Sequence, residues 1–139
     1  MKTRKEIVQI LNKFRVYIDK HGTSVTGKEL TARQTKGINE KIDLYVHKDF
    51  ILLFYDCSIG KTGKRGILFT EEKLAFKEMI SKNHVLYYSD IADIMFEEDP
   101  KNKTYGTIKF ILNDGSIVVY TESVISMPPL FACILDILG

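Results

Sequence analysis

The sequence has no tryptophan and only two cysteines, Cys57 and Cys133, neither of which belongs to a CxxC pair or a Cys/His cluster. Two cysteines are too few for a disulfide scaffold, so each is expected to be buried and reduced within its apolar run. The three histidines have no partners at metal-ligand spacing, and no metal or cofactor is predicted. Reduced thiols favour a cytoplasmic location.

Long apolar runs are also missing. None is longer than the six residues of runs such as 50–55 (FILLFY), far fewer than the ~20 residues that a membrane-spanning helix needs. The N-terminal MKTRKEIVQILNKF is basic but has no uninterrupted apolar core and no cleavage site, so it is not predicted to be a signal peptide. With 45% hydrophobic and 27% charged residues, the 139-residue chain has the composition of a soluble globular domain.

Positive charge is unevenly distributed along the chain. Residues 1–70 carry a net charge of +7 and residues 71–139 a net charge of −5, although the whole chain carries only +2. The basic half could contact an acidic partner or an anionic membrane, and the alternative is a solvated surface of mixed sign. The overall balance predicts no nucleic-acid partner.

Two helices are predicted before residue 50. Thr3 and Glu6 have the spacing of a capping box, and a helical stripe follows until His21-Gly22, comprising Ile7, Ile10, Leu11, Phe14, Tyr17 and Ile18. This stripe is expected to pack on its own domain, and the alternative is that the basic helix lies on a membrane. Residues 30–41 indicate a second, weaker helix, so 1–49 is predicted to form an N-terminal helical extension.

Residues 50–139 have a different pattern, with seven short strand-forming segments separated by turns. They are residues 50–57, 65–70, 73–78, 84–88, 91–97, 105–112 and 116–121. Asp114-Gly115 is a hairpin signal, because such turns need a positive φ. Seven strands in succession favour an antiparallel sandwich or barrel, in a fold of the α+β class that is mainly antiparallel β.

The last segment predicts a C-terminal helix with Ser126 as its N-cap and prolines in the first turn. Its apolar residues cover more than one side of the helix, and they are Leu130, Phe131, Ile134, Leu135, Ile137 and Leu138. Ile134 is predicted to be fully buried. The excess apolar width, with Met127 and Phe131, predicts a homodimer or partner contact. The alternative is that the N-terminal helix covers it through Ile10, Phe14 and Tyr17.

Gly60-Lys61-Thr62 matches the end of a phosphate-binding loop, GxxxxGK[ST]. However, Tyr55 stands where the first glycine belongs, and another strand rather than a helix follows, so no helix N-terminus is available for the anion. The segment is therefore predicted to be a β-hairpin turn. Lys61, Lys64 and Arg65 would form a small basic cluster on it, and Asp56 would cap its amides.

The strand Ile51–Ser58, the hairpin and strand 60–70, and the step Tyr88-Ser-Asp-Ile91 resemble bacterial pleckstrin-homology-like domains, including the GRAM-like variants. The resemblance covers residues 50–139 and implies a seven-stranded split barrel or sandwich capped by one helix. Members that bind phosphoinositides place a lysine and then a basic-x-Arg triplet around the first hairpin. Lys61 matches that lysine, whereas 64–66 (KRG) departs from the triplet.

Together these observations predict a non-enzymatic binding or adaptor module that recognises a protein or an anionic lipid surface. No catalytic residue is assigned. The predicted anion-binding residues are Lys61, Lys64 and Arg65, and the predicted interaction surface contains Met127 and Phe131. Two alternatives stay open at this point. One is a small enzyme or anion-binding protein that uses the Asp56–Arg65 hairpin, and the other is an immunity-type inhibitor of a partner protein.

Overall fold

The structure is a computed structural model that describes residues 1–139. It has three α-helices and eight strands: α1 (Arg4–Ile18), β1 (Ser24–Val25), α2 (Ala32–Lys41), β2 (Leu53–Asp56), β3 (Gly66–Phe69), β4 (Lys73–Lys77), β5 (His84–Tyr87), β6 (Ile91–Glu98), β7 (Gly106–Leu112), β8 (Ile117–Thr121) and α3 (Met127–Leu138). Strand pairing gives two antiparallel sheets, ordered β1-β2-β3-β4-β5 and β6-β7-β8. The fold is therefore α+β, with a C-terminal helix.

The seven strands predicted between residues 50 and 121 are all confirmed, with bounds within three residues at each end. Two details differ: the short strand β1 was not predicted, and the first helix ends at Ile18 rather than at His21-Gly22. The strands form two antiparallel sheets, and the split barrel or sandwich stays a prediction. The backbone of Asp19 is extended at the C-cap of α1, so the helix ends at Ile18, before Gly22.

Contacts group the chain into two compact units, one of Gly22–Tyr87 and one that combines Met1–His21 with Tyr88–Gly139. Each unit contains one of the two sheets. The predicted domains, 1–49 and 50–139, stay a prediction, since compact clustering does not by itself define a domain.

The core of the unit Gly22–Tyr87 is built on one cross-strand row of its sheet. Strand register places Val25, Phe54, Leu68, Ala75 and Val85 side by side across all five strands. The helix α2 and its flanking segments cover this row with Leu30, Ile38, Ile42, Val46 and Ile51. Residues on the opposite face of β2 and β3 are also buried, which explains why these two strands are continuous apolar runs.

In the other unit, α3 packs on the sheet β6-β7-β8 and α1 packs on α3. Burial alternates along β7, because Gly106, Ile108 and Phe110 are buried and the residues between them are not. The predicted stripe of α1 is confirmed at Ile7, Ile10, Leu11 and Ile18, whereas Phe14 is half-buried and Tyr17 is 68% exposed. The helix α1 thus covers part of the apolar surface of α3, as expected if that surface is buried within the same chain rather than by a partner.

Met127, which was assigned to a partner surface, is fully buried and therefore presents no side chain to a partner. Its position in the first turn of α3 places it inside the unit, where its amide donates to the carbonyl of Thr104 at 3.0 Å. Phe131 is half-buried and stacks on Phe96, with the ring centroids 5.3 Å apart. A partner contact through Phe131 stays a prediction.

Cys57 and Cys133 are both buried free thiols, as predicted. Burial raises the pKa of the Cys133 thiol to about 12. None of the helices is both long enough and apolar enough to cross a bilayer.

Candidate functional site

The two loops at one end of the five-stranded sheet bring the basic hairpin together with a second segment. Gly66 pairs with Asp56 on one side and with Lys77 on the other, and Phe76 pairs with His84. The β2–β3 loop (57–65) and the β4–β5 loop (78–83) therefore leave the sheet at the same end. Asn83 ties the second loop to the end of α2, since its Nδ2 donates to the carbonyl of Ile42 at 2.7 Å.

We call residues 40–41, 57–65 and 77–83 the basic loop end. Six cationic side chains belong to it, and they are Lys41, Lys61, Lys64, Arg65, Lys77 and Lys82. Only two carboxylates, Glu40 and Glu78, lie in the same segments. The basic loop end therefore carries a local net charge of +4, twice that of the whole chain.

Asp56 anchors the hairpin from beneath. Its carboxylate is fully buried, and Oδ2 accepts from the Gln34 side-chain amide at 3.0 Å and from the Gly63 backbone N–H at 3.1 Å. Oδ1 accepts from the backbone N–H of Ser58 at 3.0 Å and from the Ser58 hydroxyl. The predicted capping role of Asp56 is confirmed at Ser58, and these four bonds occupy the oxygens that a general base would need.

The backbone of the hairpin takes left-handed conformations at three positions, with φ of 76° at Gly60, 53° at Lys61 and 75° at Gly63. These turns bring the loop into direct contact with α2. A Cβ on Gly63 would lie 2.1 Å from the Gln34 carbonyl oxygen, and a Cβ on Gly37 would lie 1.8 Å from the Thr62 carbonyl oxygen. Glycine on both sides therefore lets the loop and the helix touch backbone to backbone.

Gly63→Ala is expected to lower the free energy of unfolding by about 1–3 kcal/mol more than Gly60→Ala, because it adds a backbone clash. The two glycines have the same φ within 1°, so the cost of a left-handed alanine is shared. Nothing lies within 4 Å of a Cβ on Gly60, which makes it the matched control. Urea denaturation of both variants measures the difference, and equal midpoints would contradict the packing described for Gly63.

The three predicted basic residues are close together but differ in their contacts. The Lys61 ammonium folds back and donates to the Asp56 carbonyl at 3.1 Å, whereas the Lys64 ammonium reaches Glu40 at 4.0 Å. Lys64 and Arg65 line an open groove of about 390 Å³, together with Lys41, Ser58, Ile59, Thr62, Lys77, Glu78 and Met79. The Lys77 ammonium donates to the Glu78 carbonyl at 2.6 Å.

Exposed apolar side chains lie among these cations. Ile59 at the tip of the β2–β3 loop is 89% exposed, and Met79 and Ile80 on the β4–β5 loop are 67% and 93% exposed. Such residues are normally scattered singly on a protein surface. Here three of them occupy the two loops at one end of a sheet.

Sequence reasoning missed the other cations and the apolar tips of the basic loop end, which are Lys41, Lys77, Lys82, Ile59, Met79 and Ile80. A signal was present, because an antiparallel meander returns alternate loops to the same end of a sheet, so the first and third hairpins must be neighbours. The contribution of Lys41 had no such signal, because it depends on how α2 packs.

His84 borders the basic loop end at the start of β5 and packs near Phe76, with the ring centroids 5.4 Å apart. Burial, and then the positive charge of Lys82, hold the pKa of His84 below its usual value. The imidazole is therefore neutral at physiological pH and adds no charge there.

Searches against protein-family models, curated proteins and solved structures each return no match to this chain.

Proposed function

We propose that this chain is a non-enzymatic binding module of pleckstrin-homology-like architecture, and that its basic loop end docks on an anionic phospholipid surface. The order of the elements after residue 50 supports this architecture. Four strands of one sheet come first (β2–β5), three strands of the other sheet follow (β6–β8), and the helix α3 comes last. That is the plan implied by the resemblance of residues 50–139.

The observation that carries the docking proposal is the combination of cations and exposed apolar tips on one set of loops. Lysine and arginine near an anionic bilayer contribute about 1 kcal/mol each to binding. Apolar side chains at the tips, such as Ile59 and Ile80, can enter the interfacial region and bury the area that is now exposed. A free soluble anion would use the cations but leave the apolar tips in water.

The stiffness of the hairpin also favours docking. The loop is fixed to α2 by the Asp56 hydrogen bonds and by the close approach at Gly63, so its tip needs little ordering when it binds. Preorganised surfaces lose less conformational entropy on association.

Vesicle sedimentation of the full chain tests the proposal. We expect binding to vesicles that contain phosphatidylserine and little binding to phosphatidylcholine alone, with affinity falling as salt rises, because exposed charges are screened within about 8 Å at physiological ionic strength. Lys41→Gln with Lys64→Gln is expected to weaken binding roughly thirtyfold, the equivalent of two lysines.

Lys101→Gln with Lys103→Gln is the matched control, because it removes the same charge from two exposed lysines outside the basic loop end. An equal loss in both double variants would mean that net charge alone drives binding. Ile80→Ser is expected to weaken binding without changing its salt dependence. Equal binding to neutral and anionic vesicles would overturn the proposal.

A further inference from the structure

The imidazole of His84 ends a row of buried side chains at the edge of the five-stranded sheet. Strand register aligns Tyr55, Ile67, Phe76 and His84 across β2, β3, β4 and β5. The first three are buried, whereas His84 is half-buried on the edge strand. The row lies at the end of the sheet from which the two loops of the basic loop end leave. A titratable group therefore meets solvent at the same end as six cations.

The charged groups that act on His84 belong to the β4–β5 loop. Burial disfavours the imidazolium most, the positive charge of Lys82 disfavours it further, and the Glu78 carboxylate favours it, so the pKa of His84 lies below its usual value. Across β4 the imidazole packs near the uncharged ring of Phe76, and the rest of the row is also uncharged at neutral pH. The helix α2 covers the opposite face of the sheet.

We propose that protonation of His84 strengthens the docking of the basic loop end on anionic phospholipid, so that the chain binds more tightly under acidic conditions. This regulation rests on the proposed function. His84 follows Lys82 and Asn83 directly, at the root of the loop that carries the exposed Met79 and Ile80. Its protonation adds a seventh cation to the end of the sheet that approaches the lipid.

Lipid phosphates reverse the balance that keeps the imidazole neutral. In the free protein, burial and Lys82 oppose protonation. Negative charge close to an imidazole favours its charged form, so an anionic surface favours protonation. Binding and protonation are linked equilibria, and each must shift the other by the same factor. If the protonated chain binds more tightly, vesicle binding must therefore raise the pKa of His84.

Vesicle sedimentation of the full chain at about pH 7.5 and about pH 5.5 tests the proposal, since these values bracket the range in which imidazole titrates. Phosphatidylglycerol is the probe, because its phosphate stays ionised at both values. We expect the wild type to bind up to roughly fivefold more tightly at the lower pH, the equivalent of one further cation near the surface.

Three variants assign the gain in affinity. His84→Gln keeps a polar, neutral side chain and is expected to lose most of the gain between the two pH values. His84→Lys carries a permanent cation and is expected to bind at about pH 7.5 as tightly as the wild type binds at about pH 5.5. His47→Gln is the matched control and is expected to keep the gain, because His47 is an exposed imidazole outside the basic loop end, beside Asp49.

A titration of the His84 imidazole in the wild type, followed by NMR with and without short-chain phosphatidylglycerol micelles, gives a measurement that needs no variant. We expect the lipid to raise the pKa of His84. An unchanged or lowered pKa would overturn the regulation by His84.

The vesicle experiment separates this regulation from the proposed function. Anionic-vesicle binding that persists but does not tighten at the lower pH would overturn the regulation alone. An equal gain in wild type and His84→Gln would also overturn it, because other groups would then carry the effect. No binding to anionic vesicles at either pH would overturn both.

Discussion

Asp56→Ala is expected to lower the free energy of unfolding by roughly 3–5 kcal/mol, one of the two largest effects that we predict. Asp56 is fully buried and accepts four hydrogen bonds, two of them from Ser58 and the others from Gln34 and Gly63. Removing the carboxylate leaves these donors without their acceptor in a site that water does not reach. A buried donor without a partner costs about 1–3 kcal/mol.

The chain contains a natural control for Asp56. Asp114 makes the same local pair of bonds, since its Oδ1 accepts from the Ser116 backbone N–H at 2.9 Å and from the Ser116 hydroxyl at 2.6 Å. These bonds hold the pKa of Asp114 below its usual value. Asp114 is exposed, so in Asp114→Ala water replaces the lost acceptor and we expect a much smaller loss.

Chemical denaturation of Asp56→Ala, Asp114→Ala and the wild type measures both effects. Equal losses of unfolding free energy in the two variants would mean that burial does not increase the cost of losing the Asp56 hydrogen bonds. We also expect Asp56→Ala to weaken anionic-vesicle binding, since the hairpin would lose its anchor, whereas Asp114→Ala would leave vesicle binding unchanged.

Local patterns were sufficient to predict the strands and the hairpin. The Asp114-Gly115 turn and the capping box at Thr3 and Glu6 each depend on residues close in sequence, and each is confirmed. The Gly60-Lys61-Thr62 segment is likewise confirmed as a hairpin loop, because Asp56 and Gly66 pair directly across it.

Features that depend on long-range packing were missed. The strand β1 has only two residues and exists because Ser24 and Val25 pair with Tyr55 and Phe54 of β2. Residues 30–41 were predicted only as a weaker helix, and Gly37 within that helix is the residue that admits the Thr62 carbonyl. A single sequence shows the cost of a glycine in a helix, but it does not show which backbone comes close to it.

The C-terminal helix has features that were predicted from the sequence and one that was missed. Its start at Ser126 and its apolar content were predicted, and Ile134 is fully buried as predicted. The sequence does not distinguish the sides of a helix on which nearly every residue is apolar. The assignment of Met127 to a surface was therefore wrong, and Leu135, at 48% exposed, is the apolar residue that α3 presents to solvent.

Ile134→Ala is expected to lower the free energy of unfolding by roughly 2–5 kcal/mol, because it removes buried apolar volume and leaves a cavity. Ile134 is 0% exposed and lies on the buried side of α3 with Leu130 and Ile137. Leu135→Ala is the matched control on the next residue, and its cost is expected to stay below about 1 kcal/mol because the side chain is half exposed. Chemical denaturation, with hydrogen exchange on α1 and α3, measures whether both helices loosen together. An unchanged midpoint in Ile134→Ala would mean that α3 is not part of the core, whereas loss of protection in α3 alone would mean that α1 does not depend on it.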